Sequence, residues 1–196
     1  MGQIFKKIPE YLDKLQPLNG TIVEIGTSRP GDDQSSGYLY NLANRLGIEF
    51  ITCDIAPTYT KAMCEQGITA VCLPGEQFLL DYTKPISIAY LDGYDWNWKP
   101  TNMELWQVEQ REYYRINFNI SLNNTDCQMS HLVQAMRIEQ LAAENSLIVF
   151  DDTWWYREFD IYLGKGGAAV PYLKSKGYEE LHSEEYGTIM GRFNDL

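Results

Sequence analysis

The sequence is short of basic residues and of long apolar runs, and each shortage argues against a class of partner. Its 16 lysines and arginines are outnumbered by 27 aspartates and glutamates, which gives a formal net charge of −11. Binding to nucleic acid or to an anionic membrane surface requires a basic footprint, so we expect neither partner. No apolar run in the sequence approaches the roughly 20 residues that cross a bilayer.

Cysteines are also few, and their spacing is not that of a metal or redox motif. The four residues Cys53, Cys64, Cys72 and Cys127 show no Cys-x-x-Cys spacing. Cys53 and Cys72 lie in predicted buried strands, which favours reduced core thiols over disulfides. The first residues contain two lysines but no following apolar block, so the sequence predicts no signal peptide. We therefore expect a cytoplasmic protein.

Short apolar runs alternate with helical patterns along the 196 residues, a length that suits one domain. The predicted strands are 21–25, 49–54, 69–73, 86–92, 146–150, 179–183 and 186–193. This alternation predicts an α/β fold with a Rossmann-like, seven-stranded, mostly parallel sheet and helices on both faces. The last two strands are joined by a two-residue turn, which predicts a C-terminal antiparallel β-hairpin.

Two segments lie outside this alternation. Residues 1–19 carry a helical apolar pattern that predicts an N-terminal cover, with Pro9 in its first turn. Residues 93–126 form a long insertion, in which 103–114 is predicted to be helical and 117–126 to be a loop. Ser130 is the predicted N-cap of the next helix. A connection of this length is usually functional, and it could serve as a lid, an acceptor pocket or a partner contact.

The first strand leads into a glycine turn and then into a helix. Residues 21–25 are followed by Gly26, by a polar run at 27–37 and by a helical pattern. Strand, glycine loop and helix form the opening unit of a nucleotide-binding sheet. Gly26 has no Cβ and so allows a ligand to approach the backbone closely. Glu24 is expected to face that ligand.

Acidic residues follow nearly every predicted parallel strand at its carboxyl end, where such sheets bind their ligands. They are Glu24, Asp54, Asp92, Asp151 and Asp152. A carboxylate at Asp54 can accept both hydroxyls of a ribose, although an ordinary helix cap is the alternative.

Three of these acids come from adjacent central strands and are expected to meet. Asp92, Asp151 and Asp152 would repel one another without a cation, and Mg²⁺ prefers oxygen ligands of this kind. The sequence thus predicts a Mg²⁺ site with positions left for a substrate. The alternative is that one acid points inward while the others cap helices.

Four short motifs together resemble the class I S-adenosylmethionine-dependent methyltransferases. They are Glu24-Ile-Gly-Thr, Cys53-Asp54, Leu91-Asp92-Gly93 and Val149-Phe150-Asp151-Asp152. The last two resemble in particular the metal-dependent small-molecule O-methyltransferases of the macrocin and catechol types and the cephalosporin-hydroxylase-like proteins. The resemblance covers residues 20–193.

This resemblance implies Mg²⁺-assisted methyl transfer from S-adenosylmethionine to a hydroxyl of a small molecule, a sugar or an aromatic. It implies cofactor contacts by Glu24, Gly26, Thr27, Asp54, Ile55, Leu73, Gly75, Glu76 and Asp92. It implies metal binding by Asp92, Asp151 and Asp152. His131 and Asp95 are the two candidates for the base, and four tryptophans either wall an acceptor pocket or belong to the core: Trp96, Trp98, Trp154 and Trp155.

Two other functions fit the same fold. The chain could bind the cofactor as a subunit or sensor without transferring a methyl group. A nicotinamide-dependent oxidoreductase is less favoured, because only Gly26 of the Gly-x-Gly-x-x-Gly pattern stands in place. A small-molecule acceptor is the expected partner, and formation of a homo-oligomer stays open.

Overall fold

The computed structural model describes residues 3–29, 35–97, 103, 105–184 and 186–194, and these contain a seven-stranded sheet. Its strands are β1 (Thr21–Ile25), β2 (Phe50–Asp54), β3 (Ala70–Cys72), β4 (Ile86–Leu91), β5 (Ala142–Asp151), β8 (Glu179–Glu184) and β9 (Gly187–Arg192). A separate antiparallel hairpin consists of β6 (Thr153–Tyr156) and β7 (Ile161–Gly164). The helices are an N-terminal 3₁₀ helix (Ile4–Leu15), α1 (Ser35–Leu46), α2 (Pro57–Glu65), α3 (Gly75–Asp81), α4 (Leu105–Phe118), α5 (Asn124–Leu141) and α6 (Ala169–Ser175).

The strand order in the sheet is β3-β2-β1-β4-β5-β9-β8. The first five strands in this order pair in parallel, whereas β9 is antiparallel to both of its neighbours. This confirms the predicted mostly parallel sheet with a closing antiparallel pair. The chain order reverses between β1 and β4, and ligands of open α/β sheets bind at such a switch point.

Both faces of the sheet are covered, as the continuous apolar strands require. In β1, Ile22 packs on the face that carries the N-terminal 3₁₀ helix, α1 and α2, while Val23 and Ile25 pack against α3, α5 and α6. All six residues of β4 are buried. Among the described residues, no helix is long and apolar enough to cross a membrane.

The structure corrects several predicted boundaries. The N-terminal helix is a 3₁₀ helix that begins at Ile4, and Pro9 lies inside it rather than in its first turn. Helix α5 begins at Asn124, not at Ser130, because the side chain of Asn123 accepts a hydrogen bond from the backbone N–H of Asp126 and caps the helix there. The predicted loop at 117–126 accordingly shrinks to residues 119–123, since α4 continues to Phe118.

The hairpin of β6 and β7 is absent from the sequence prediction, and the turn after it is buried. At Gly164, with φ of +85°, an added Cβ would overlap the carbonyl oxygen of Asp152. The backbone N–H of Gly166 donates to Thr153 Oγ1 at 2.8 Å, and Gln128 Nε2 of α5 donates to Gly164 O at 3.0 Å. The turn at 164–167 is therefore held against the end of β5.

A buried carboxylate ties β1 to β2 and α1. Glu24 is fully buried on the α1 side of β1 and accepts three hydroxyl hydrogen bonds. Ser35 donates to Oε1 at 2.6 Å, while Ser36 and Thr52 donate to Oε2 at 2.5 Å and 2.6 Å. Burial raises the pKa of Glu24 from 4.5 to about 7, although the three hydroxyls partly oppose this rise. Glu24 thus holds the start of α1 against β1 and β2.

The raised pKa of Glu24 makes stability depend on pH, and Glu24→Gln should remove that dependence. The folded state keeps the proton up to about pH 7, whereas the unfolded state releases it near 4.5, so this contribution to stability is complete below pH 4.5 and is lost as the pH rises. Between pH 4.5 and about pH 7, the free energy of unfolding of the wild type should fall by roughly 3 kcal/mol relative to that of the Gln variant. Urea unfolding of both proteins across this pH range measures the difference.

Glu65→Gln is the matched control, because Glu65 is exposed on α2. It should leave the pH dependence of the unfolding free energy as in the wild type. Parallel pH profiles for Glu24→Gln and the wild type would contradict the assigned role of the buried carboxylate.

Because the turn is buried, we expect alanine substitutions at two glycines with positive φ to lower the unfolding free energy by different amounts. Gly164→Ala places a Cβ against the Asp152 carbonyl, whereas a Cβ at Gly47, with φ of +68°, meets no atom within 4 Å. We expect Gly47→Ala to lower the unfolding free energy by about 1 kcal/mol, and Gly164→Ala by at least about 3 kcal/mol. Urea unfolding measures both, and equal costs would show that the turn yields to the added methyl group.

Candidate active site

A pocket of about 300 Å³ opens at the carboxyl ends of the strands around the switch point. Its walls come from the ends of β1, β2, β3 and β4 and from α4 and α5: Ile25, Gly26, Cys53, Asp54, Ile55, Pro74, Gly75, Gly93, Tyr94, Tyr114 and Gln134. Four predicted cofactor residues, Gly26, Asp54, Ile55 and Gly75, thus share one cavity. The pocket lies where the fold predicts a ligand.

The backbone around residue 26 accepts only glycine, whether or not a ligand is bound. Its φ is +98°, and an added Cβ would lie 2.5 Å from the carbonyl carbon and oxygen of Asp92. The end of β4 approaches this closely because the Asp92 N–H donates to Ile25 O at 2.8 Å. Gly26 therefore lets β1 and β4 end side by side at the pocket floor.

Asp54 holds the loops after β1 and β2 together. Its Oδ2 accepts the backbone N–H of Thr27 at 3.0 Å, and its Oδ1 accepts that of Ala56 at 2.7 Å. Burial raises the pKa of Asp54 to about 6, against the lowering effect of these N–H groups. The carboxylate is thus fixed at the rim of the pocket, where ribose hydroxyls could donate to it.

The opposite wall of the pocket carries a polar group that sequence reasoning missed. Gln134 of α5 donates through Nε2 to Glu76 Oε1 at 3.1 Å and to Ser130 Oγ at 2.9 Å, while Ser130 itself donates to Glu76. Within the part of the chain that the structure describes, the Oε1 atom of Gln134 is buried without a hydrogen-bond partner. A buried acceptor of this kind is costly unless a ligand donor satisfies it. Glu76 therefore acts on the pocket through Gln134.

Five predicted cofactor residues do not line this pocket. Glu76 is bonded to Gln134, and Asp92 lies with two other aspartates that are described below; the remaining three also lie outside the pocket. Glu24 lies behind it in the hydroxyl network described above. The Thr27 hydroxyl is hydrogen-bonded to that of Thr52 at 2.7 Å, and Leu73 packs against the apolar core while its carbonyl accepts from Cys53 Sγ. Tyr94 and Tyr114 were missed, because only the folded insertion places their rings at the pocket, 6.0 Å apart.

The structure brings together Asp92, Asp151 and Asp152, which we call the acidic cluster. One oxygen from each lies within 4.8 Å of the others, so the donor set could hold a metal ion. Burial and the neighbouring charge of Asp92 raise the pKa of Asp151 well above its usual range. Burial also raises the pKa of Asp92, against the lowering effect of a nearby lysine.

That lysine, Lys165, was missed by sequence reasoning and lies within the acidic cluster. Its Nζ donates to Asp92 Oδ1 and is 3.1 Å from Asp152 Oδ2, and the residue is only 2 % exposed. Burial lowers the pKa of Lys165, but the surrounding carboxylates raise it further, to well above its usual value. The cluster therefore already contains a cation, which does not suit a second one at the same oxygens. The signal in the sequence was a lysine inside the run Gly164-Lys-Gly-Gly.

Neither residue predicted as the base is free to accept a proton readily. His131 is fully buried inside α5, its Nδ1 is 2.8 Å from Cys127 O, and burial lowers its pKa to about 3. Asp95 accepts from Arg29 Nη2 through both of its oxygens, at 2.8 Å each. Both oxygens of Asp95 are thus engaged by the guanidinium group, whereas a base needs an unengaged atom within reach of the acceptor.

Aromatic side chains from the segments that follow Asp92 and Asp152 contact one another. The rings of Trp96 and Trp154 meet edge to face at 6.5 Å, and Tyr186 contacts Trp154 at 5.7 Å. Trp155 is more exposed, at 38 %, and Trp98 lies outside the described residues. A second pocket of about 240 Å³ is lined by Asp95, Trp96, Asn97, Trp106, Gln107, Gln110, Arg111 and Leu122.

No protein-family model and no curated protein matches the chain. Solved structures do match. The N-methyltransferase NodS from Bradyrhizobium japonicum, in complex with S-adenosylhomocysteine, has a TM-score of 0.53 at 12 % identity, over 98 % of this chain and 88 % of its own. The sugar N-methyltransferase KedS8 from Streptoalloteichus has a TM-score of 0.57 at 8 % identity, over 97 % and 87 %.

A third match is the methyltransferase MycE of the mycinamycin biosynthetic pathway, in complex with Mg and S-adenosylhomocysteine. Its TM-score is 0.56 at 13 % identity, over 100 % of this chain and 52 % of MycE. At such low identity these matches speak for the fold alone. The chain has the fold of the class I S-adenosylmethionine-dependent methyltransferases.

Proposed function

We propose that this protein transfers a methyl group from S-adenosylmethionine to a hydroxyl of a small molecule, such as a sugar or an aromatic. One observation carries the proposal: the pocket at the switch point has a fixed carboxylate on one side, an unpaired buried acceptor on the other, and the acidic cluster next to it. Structural neighbours that contain S-adenosylhomocysteine support the choice of cofactor.

The pocket residues suit the parts of this cofactor. Asp54 would accept the ribose hydroxyls, which are donors of the kind that a carboxylate binds strongly. The Oε1 of Gln134 would accept the amino group of the adenine and so satisfy its missing hydrogen bond. Tyr94 and Tyr114 offer aromatic surface, and Gly93 leaves room for the backbone to approach. When bound, S-adenosylmethionine supplies an electrophilic methyl carbon on a sulfonium.

The acceptor would bind between the acidic cluster and the aromatic residues Trp96 and Trp154. Flat aromatic walls suit sugar and aromatic rings. A carboxylate at this place can orient an acceptor hydroxyl and take up its proton, and we assign that role to Asp152, whose side chain is 19 % exposed. A cation must compensate these carboxylates, and the proposed reaction is the same whether that cation is Mg²⁺ or an ammonium group.

The cofactor assignment predicts that Asp54→Ala weakens binding of S-adenosylhomocysteine. The variant loses the carboxylate that accepts the ribose hydroxyls, and hydrogen bonds to charged groups are worth enough to expect a loss of about 10- to 100-fold in affinity. Isothermal titration calorimetry measures this. Asp13→Ala, an exposed change in the N-terminal helix, should bind as the wild type does. Failure of the wild type to bind the cofactor product would refute the proposed function.

The acceptor assignment predicts that Asp152→Asn lowers turnover without weakening cofactor binding. The amide keeps the size of the side chain but cannot take up a proton, and loss of a general base typically costs about 10²-fold or more. Labelled S-adenosylmethionine, a panel of sugars and phenols, and mass spectrometry of the methylated product measure turnover. Methylation of amines but not of hydroxyls would contradict the acceptor assignment. Binding without any transfer would favour the non-catalytic cofactor-binding module.

A further inference from the structure

We infer that the ammonium group of Lys165 is the resident cation of the acidic cluster, and that the chain uses it in place of a divalent metal. The inference deepens the proposed function, since it identifies what neutralises the carboxylates beside the acceptor. It makes this chain a metal-independent variant of a site for which its aspartates alone predict Mg²⁺.

The position of the ammonium group is the first argument. Nζ donates to Asp92 and lies 3.1 Å from Oδ2 of Asp152, so two of the three carboxylates are bonded to it. Because the oxygens of the cluster lie within 4.8 Å of one another, a metal ion would have to bind beside this ammonium group. Mg²⁺ needs oxygens at about 2.0–2.1 Å in octahedral geometry, and a cation already bonded to those oxygens opposes its entry.

The chain gives Lys165 little room to withdraw. The residue is 2 % exposed, and its backbone N–H donates to the carbonyl of Asp152 at 3.0 Å. Gly164 and Gly166 on either side are also buried, and Gly166 is bonded to Thr153 Oγ1. An ammonium group that stays buried after leaving its carboxylates would have no counter-charge, which is strongly unfavourable. The turn at 164–167 thus places the ammonium group of Lys165 in the acidic cluster and prevents it from moving away.

Three other acids at this edge follow the same rule, because each is satisfied by the chain itself. Asp95 is bonded to Arg29, Asp54 to two backbone N–H groups, and Glu24 to three hydroxyls. Across the described residues, no buried carboxylate oxygen lacks a hydrogen-bond partner. An acidic site that awaits a metal would leave such oxygens unpaired. Lys165 therefore completes a scheme of internal compensation, as a positioning residue for Asp92 and Asp152.

The test is a titration of the full chain with Mn²⁺, followed by electron paramagnetic resonance of the free ion. The wild type should leave the signal of free Mn²⁺ unchanged. Lys165→Gln removes the charge and frees two carboxylates, so it should take up one Mn²⁺ per chain, at least about tenfold more tightly than the wild type. Lys174→Gln is the control, because Lys174 pairs with Glu180 at 2.9 Å outside the cluster, and it should behave as the wild type.

Thermal unfolding supplies a second measurement, in which each protein is compared with itself with and without the metal, so that a lower starting stability of the variant does not affect the result. Addition of about 10 mM MgCl₂ should leave the melting temperature of the wild type unchanged, and it should raise that of Lys165→Gln. Uptake of one Mn²⁺ by the wild type that disappears in Asp152→Asn would overturn the inference. So would a folded Lys165→Gln that gains no metal affinity.

These outcomes are separate from those that test methyl transfer. If the wild type binds neither Mn²⁺ nor S-adenosylhomocysteine, the proposed function fails while the assignment of Lys165 stands. If it binds both, the assignment of Lys165 fails while the proposed cofactor stands.

Discussion

Compensation of carboxylates that are removed from water is the constraint on which the site depends. The parallel strands direct several acids to one edge of the sheet, and there they meet little solvent. A buried carboxylate without partners is costly, so each needs donors from the chain. Glu24 accepts hydrogen bonds from hydroxyl groups, and Asp54 accepts them from backbone N–H groups. Asp92 and Asp152 form ion pairs with Lys165. These bonds decide where the surrounding loops run.

Each compensating group fixes a different segment of the chain. The bonds of Glu24 set the start of α1, and those of Asp54 draw the loops after β1 and β2 together. The bond of Lys165 requires the hairpin of β6 and β7 to return to the end of β5, and Gly164 allows the close approach. The same interactions that stabilise the fold thereby shape the walls of the pocket.

The parallel strands and the gathering of their terminal acids could be predicted, because both follow from local patterns. The pattern of a short apolar run that ends in an acid can be recognised at Asp54 and Asp92 from the local sequence alone. Lys165 could not be predicted in the same way, since its contact with Asp92 depends on the pairing of β6 with β7. The role of Gln134 could not be predicted either. A glutamine within a helical pattern is usually an exposed polar residue, and only the folded structure shows that this one lines a pocket. The predicted start of α5 was wrong because Asn123 and Ser130 are both good caps, and the helix is capped by the first of them.

The site divides into two halves that differ in origin. The half proposed for the cofactor consists of strand ends, and its geometry follows from the parallel sheet. The half proposed for the acceptor consists of the insertion after β4 and of the hairpin after β5, which contribute Trp96 and Trp154. Strand ends are constrained by the packing of the sheet, whereas loops and hairpins can vary without loss of the core. Selectivity for the acceptor is therefore expected to reside in these two segments, and Lys165, delivered by the hairpin, joins the acceptor half to the acids of the sheet.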